Sequence, residues 1–343
     1  MTGVGLSAPL TSANSTYPPT APNLDPLRAT KPPVAAPLAA PLAAPLAAPV
    51  AAPDFAGRLE VTGPQPRFSS QSQWTAQVRL EHVTITGAVS GLSADAYVYL
   101  PPQYFQPSYL HTDFPGVEVF TGYPGTIDSF VYRMNYPDVL LRAITSHRAN
   151  PMVLVMLRPS VTFPRDTECT DVPDGPQAAT FFGADVVAAV EAHYRVQATS
   201  WGAIGDSAGG YCATKLTMLN PGRFAAAVSM SGYYFALGDH STGDLWGGSP
   251  VIRDLNDLHW RLTHQPAPPV SILVCTSPSE TGPYGYQEAM RFVRQITARM
   301  SVAVLTVPNG GHDMSTWNSE LPAALPWLSA KLVPPGLARG GPR

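Results

Sequence analysis

One pentapeptide narrows the possible folds more than anything else in this chain. Gly205-Asp206-Ser207-Ala208-Gly209 lies between a short apolar run, Trp201 to Ile204, and an Ala/Leu-rich segment, Tyr211 to Leu219. Strand, glycine-flanked serine and helix in that order make a nucleophile elbow, a turn so sharp that Ser207 projects alone above a sheet. The following helix aims unpaired N–H groups and the positive end of its dipole at the serine, where they stabilise negative charge on a reacting oxygen. Ala208 is the expected donor of one such N–H. A G-x-S-x-G run also arises by chance as a glycine-rich turn without chemistry, so the serine has to be judged by its surroundings.

Those surroundings predict an α/β class. Gln77 to Thr86 and Asp95 to Leu100 mix β-branched and aromatic residues with polar ones in near alternation, the mark of half-buried antiparallel strands at an edge. Continuous apolar runs follow at Val117 to Phe120, Met152 to Leu157, Trp201 to Ile204, Ala225 to Met230, Val270 to Cys275 and Val302 to Val307. Strands apolar on both faces belong to a mostly parallel sheet covered by helices on each side. Phe182, Val186, Val187, Val190 and Tyr194 form one helical stripe, and Ala289, Met290, Val293, Ile296 and Met300 a second. Glu191, Arg195, Glu288, Arg291, Arg294 and Arg299 fall on the opposite faces and read as solvated surface.

Residues 1–57 are rich in Pro, Ala, Ser and Thr, with Ala-Pro-Leu-Ala-Ala-Pro-Leu-Ala-Ala-Pro inside 36–48. Recurrent proline denies a helix its hydrogen bonds and favours an extended chain, so this stretch is expected to be a disordered spacer. The catalytic domain is then 58–334, and 335–343 is a flexible tail. A net charge of −3 with 13% charged residues and no basic run excludes a nucleic-acid partner. No apolar stretch reaches the ~20 residues of a membrane span, and the first 30 residues lack a signal peptide. A Pro/Ala spacer ahead of an enzyme domain is typical of a protein tethered at or beyond a membrane. It points to an extracellular or cell-envelope location and to a start that is truncated or misassigned, with a cytoplasmic location, which the missing signal allows, as the alternative. Cys169, Cys212 and Cys275 show no zinc spacing; Cys212 and Cys275 read as free buried thiols and Cys169 as a loop residue, the odd count arguing against a disulfide framework while leaving a single bridge open.

An elbow serine is inert until a base takes its proton, and imidazole has the suitable pKa. In folds built on such an elbow the order along the chain is Ser, acid, His. Of the eight histidines, His240, His259, His264 and His312 follow Ser207. His312 sits in Pro308-Asn309-Gly310-Gly311-His312-Asp313, directly after a strand, where two glycines let the loop turn back over the strand ends. The other three lie in the strandless stretch from Gly238 to Pro269 and read as surface or cap residues. Glu280 follows the strand Val270 to Cys275 and is the candidate acid; Asp239, Asp244, Asp254 and Asp257 are rivals. Asp313 is too close to His312 along the backbone to reach around its ring. Val119-Phe120-Thr121-Gly122-Tyr123-Pro124-Gly125 has the form of an oxyanion loop, with the Tyr123 N–H as second donor and a type II turn as its plainer description.

These residues resemble the esterase D and mycolyltransferase-like branch of the α/β-hydrolases, the putative esterase family, over most of the chain after about residue 77. The elbow, Pro221-Gly222-Arg223-Phe224, Ser229-Met230-Ser231-Gly232, Asp244-Leu245-Trp246-Gly247 and Asn309-Gly310-Gly311-His312 with Trp317 carry the likeness. It implies an α/β-hydrolase fold, a Ser207–Glu280–His312 triad, an oxyanion hole from Tyr123 and Ala208, no cofactor and no metal. The substrate is then a small-molecule ester or acyl-lipid. Thr121-Gly122-Tyr123-Pro124 departs from the Asp-Gly-Leu-Arg-like loop of the mycolyltransferases, and with it from trehalose recognition. Three functions follow: a serine esterase, an acyltransferase to a sugar or alcohol, and a non-catalytic binding module on the same fold.

Overall fold

The computed structural model describes residues 57–63 and 78–337. The spacer expected over 1–57 lies outside the described residues except for Gly57, as do Gln77 and residues 338–343. The strands are β1 (Arg58–Val61), β2 (Arg79–Thr86), β3 (Ser93–Leu100), β4 (Thr112–Asp113), β5 (Gly116–Phe120), β6 (Val153–Leu157), β7 (Trp201–Asp206), β8 (Phe224–Met230), β9 (Ser271–Thr276), β10 (Ser301–Thr306) and β11 (Gly336–Leu337). Nine of them form one sheet in the order β1-β2-β3-β6-β5-β7-β8-β9-β10. β1, β2 and β3 pair antiparallel with one another and β3 with β6; every pair from β6 to β10 is parallel. β4 and β11 pair separately, so the tail expected from 335 onward is held at Gly336 and Leu337.

Alternation along the buried strands divides the core into two layers. Val153, Val155 and Leu157 of β6 face one layer, and Leu154 and Met156 face the other. The first layer takes in Tyr211, Cys212 and Leu216 of α5 (Ala208–Leu219), with Phe182, Val187, Val190 and Phe292. The second takes in Leu140 and Ile144 of α2 (Tyr136–Thr145) and Leu321, Leu325 and Leu328 of α9 (Met314–Ser329). Each such side chain, when fully buried, contributes about 1.5–3 kcal/mol, which fixes the sheet between its helices. β1 and β10, the two edge strands, lack two-sided cover, their residues being only partly buried or exposed.

Pro322 and Pro326 lie inside α9. Pro326 has no N–H to give the carbonyl four residues back, and that carbonyl, Pro322 O, accepts from Arg148 Nη1 at 3.2 Å instead. The helix read from Phe182 to Tyr194 begins as a π-turn over Phe181–Val186 and becomes α4 at Val187–His193. Of the second stripe, Ile296 and Met300 fall beyond the end of α8 (Tyr286–Gln295).

Four side chains read as solvated, and one thiol read as free, are engaged in the structure. Glu288 is buried, with Oε1 2.6 Å from His259 Nε2, and His259 is buried with it between α7 (Leu258–His264) and α8. The Arg195 guanidinium donates to the carbonyls of Tyr104, Tyr109 and Thr112 and covers the Tyr104 ring. Glu191 accepts from Trp201 Nε1 at 3.2 Å. Cys212 forms a disulfide with Cys169, their Cα atoms 5.5 Å apart, which ties the loop after β6 to α5. Cys275 is a buried free thiol.

Candidate active site

The elbow closes because its glycines have no side chains. A Cβ on Gly205 would stand 2.4 Å from the Gly209 backbone, and one on Gly209 would stand 2.4 Å from Phe120 O. Ser207 takes the turn with φ 52 and ψ −121, a conformation that non-glycine residues rarely hold. Its N–H donates to Met230 O at 2.9 Å, and its carbonyl accepts from Gly210 and Tyr211, opening α5. The serine is thus fixed between the ends of β7 and β8.

His312 and Glu280 come to it from the loops after β10 and β9. His312 Nε2 is 2.9 Å from Ser207 Oγ, and His312 Nδ1 is 2.5 Å from Glu280 Oε1. A carboxylate at Nδ1 makes that nitrogen the N–H donor and leaves Nε2 free to accept from the serine hydroxyl. The histidine loop is braced from α9. The Gly311 N–H donates to Thr316 Oγ1 at 2.8 Å, and Trp317 meets the imidazole edge-on at 5.4 Å while its Nε1 donates to Ser231 Oγ. Glu280 is buried; its own N–H donates to Ser277 O, and its carbonyl accepts from Tyr286. The imidazole keeps 39% of its side-chain surface exposed, so water reaches one edge of it.

The rivals named from sequence are engaged elsewhere. His240 and His264 are exposed, and His259 is bound to Glu288 and Gln295. Asp313 caps α9 by accepting from Ser315 and Thr316, and Asp257 caps α7. Asp239 accepts from Ser241, Asp244 from Trp246 N, and Asp254 pairs with Arg253.

The loop after β5 lies against the elbow. A Cβ on Gly122 would stand 3.0 Å from Ser207 Cβ, and Tyr123 follows directly. Gly125 N–H donates to Gly122 O at 2.7 Å around a cis Tyr123–Pro124 peptide. Cis proline at the third position makes this a type VI turn, where a type II turn was expected. The Tyr123 hydroxyl donates to Pro164 O at 2.6 Å. Neither the Tyr123 nor the Ala208 backbone N–H donates to an acceptor among the described residues.

Two acids behind the site escaped the sequence reading. Asp206 is buried; its Oδ2 accepts the Gly122 N–H at 2.7 Å, while Oδ1 has no partner among the described residues. Burial pushes this carboxyl up to about 7, against the pull of the Gly122 N–H and the His312 charge. Glu320 of α9 is fully buried, with neither oxygen partnered among the described residues. Burial, and then the charges of Glu280 and Asp206, push it up to about 8. A signal for Glu320 was present: it falls three and four residues after Trp317 and Thr316, on the apolar side of α9.

Several solved structures share this architecture. A ferulic acid esterase superposes with TM-score 0.61 at 19% identity, covering 75% of this chain and 98% of that one. The S-formylglutathione hydrolase of Agrobacterium tumefaciens gives 0.63 at 14%, covering 77% and 99%. Fluorophosphonate-binding serine hydrolase F of Staphylococcus aureus gives 0.58 at 15%, covering 74% and 98%. At these identities the likeness is one of fold. No curated protein is significantly similar to the chain. Among the described residues no helix is long and apolar enough to cross a membrane. Residues 90–328, from just before β3 through almost all of α9, match the family described as "Putative esterase". The chain therefore belongs to the putative esterase family and has the α/β-hydrolase fold.

Proposed function

We propose that the protein is a serine-dependent carboxylic-ester hydrolase that works through an acyl-enzyme. The observation that carries this reading is the unbroken hydrogen-bond chain from Ser207 Oγ through His312 to Glu280. Ser207 Oγ attacks the ester carbonyl as its proton passes to His312 Nε2, and Glu280 stabilises the resulting imidazolium. The carbonyl oxygen becomes an oxyanion held by the Tyr123 and Ala208 N–H groups at the positive end of α5. Collapse breaks the C–O bond, and the departing alcohol takes the proton from His312. Water then gives a proton to His312 and attacks the acyl carbon; the bond from that carbon to Ser207 Oγ breaks as His312 returns the proton to Oγ, releasing the carboxylic acid.

The open edge of the imidazole gives an incoming water, as the acyl acceptor, access to the general base. The oxyanion loop also lacks the acid and the arginine of the mycolyltransferase pattern. The esterase description of the family, and the names of the structural relatives, agree with this class of reaction. A fluorophosphonate tests it. Wild type should label and Ser207→Ala should not, whereas an unlabelled wild type returns the chain to the status of a binding module. Turnover of p-nitrophenyl esters that rises sharply only on adding a sugar or alcohol acceptor would replace hydrolysis by transfer.

A further inference from the structure

Building on the serine-hydrolase reading, we propose that Asp206 is a positioning residue for the oxyanion hole, its carboxylate holding the Tyr123 loop to the elbow through the Gly122 N–H. An oxyanion hole works only if its two donors keep a fixed separation, because a misplaced donor loses most of its effect on the transition state. Here the donors come from different segments. Ala208 opens α5 and moves with the elbow, whereas Tyr123 sits on a loop. The loop has its own ties: Thr121 N–H to Leu157 O at 3.3 Å and the Tyr123 hydroxyl to Pro164 O. Both of these lead away from the elbow, toward β6 and the chain beyond it. Among the described residues, the hydrogen bond that joins the loop to the elbow is Gly122 N–H to Asp206 Oδ2, at 2.7 Å.

The position of this bond in the chain makes it effective. Gly122 precedes Tyr123 directly, and Asp206 is two residues before Ala208, so few rotatable bonds separate either end of the link from a donor. The contact also depends on glycine, since a Cβ at 122 would stand 2.9 Å from Asp206 Oδ2. The energetics point the same way. A buried carboxyl with one oxygen unpartnered among the described residues is costly, and an apolar side chain there would be cheaper for stability alone. Its retention beside the nucleophile is explained by what its other oxygen holds.

The test compares Asp206→Leu, which removes the acceptor, with Asp206→Asn, whose amide oxygen can accept the same bond. Initial rates on p-nitrophenyl acetate should show kcat of D206L lowered about 10- to 100-fold with KM within a few-fold, less than the ~10²–10³ of deleting a donor outright. D206N should recover most of that loss. Asp206→Ala removes the same acceptor without the bulk of leucine and should lower kcat in the same way at unchanged KM, which keeps the test decisive if D206L does not fold. Wild-type kcat in D206L or in D206A overturns the proposal, as does a D206N as slow as the variant that lacks the acceptor. A wild type that neither turns over ester nor takes the fluorophosphonate overturns the underlying reading instead, so the two failures are distinct.

Discussion

At the residue scale, the candidate site divides into groups that announce themselves locally and groups that do not. Ser207 is legible because glycines on both sides and a strand-to-helix change mark its turn, and His312 because two glycines follow a strand. Glu280 is legible by order and by its place after β9. Asp206 is not, since an acid inside the elbow reads as part of the turn until its burial is seen, and Glu320 shows only in its helical phase with Thr316 and Trp317. Glu280→Gln should lower kcat by ~10³–10⁴-fold while the thermal melt stays in place, because the amide no longer stabilises the imidazolium; a near-normal rate would remove the acid role from Glu280. Glu320 offers a test in pH. Its folded value of about 8 lies above its ordinary 4.5, so the native state holds this proton more tightly than the unfolded chain. The contribution is fully present below about pH 4.5 and is lost as pH rises through about 8. Glu320→Gln, neutral throughout, should therefore melt close to wild type at pH 5 and above it at pH 9. A constant gap between the two melting temperatures at both pH values would show that Glu320 does not behave this way.

At the scale of elements, β5 to β9 were legible because largely buried runs of five to seven residues have no other home in an α/β chain, β2 and β3 by their alternation, and β10 by its apolar run alone. β1 was missed, since four residues beside a proline-rich stretch carry too little pattern. Side-chain pairings between elements were hidden for a different reason. His259 and Glu288 lie on separate helices, and Cys169 and Cys212 are 43 residues apart, so their meeting depends on the path of loops that periodicity does not describe. That bridge ties the loop after β6 to the elbow helix and closes a long segment of the unfolded chain. Replacing both cysteines by serine should cost about 2–4 kcal/mol, read from urea unfolding. Cys275→Ser should not alter the response to reductant, because that thiol is unpaired.

At the scale of the whole molecule, two apolar layers hold the sheet and the site stands at one end of it, so stability and chemistry are separable. Leu325→Ala on α9 should cost about 2–5 kcal/mol by leaving a cavity, yet kcat per active site titrated by fluorophosphonate should stay within a few-fold of wild type. A proportional fall in kcat would mean that the layer and the site are coupled. The parallel pairing of β8 with β9 carries a last implication. Met230 stands opposite Cys275 in that register, and some forty residues leave the sheet at one strand and rejoin it at its neighbour. That excursion is no free insert: Ser231 at its start accepts from Trp317 Nε1, and His259 farther along meets Glu288, so a change of its length is carried to the two helices that flank the histidine and acid loops.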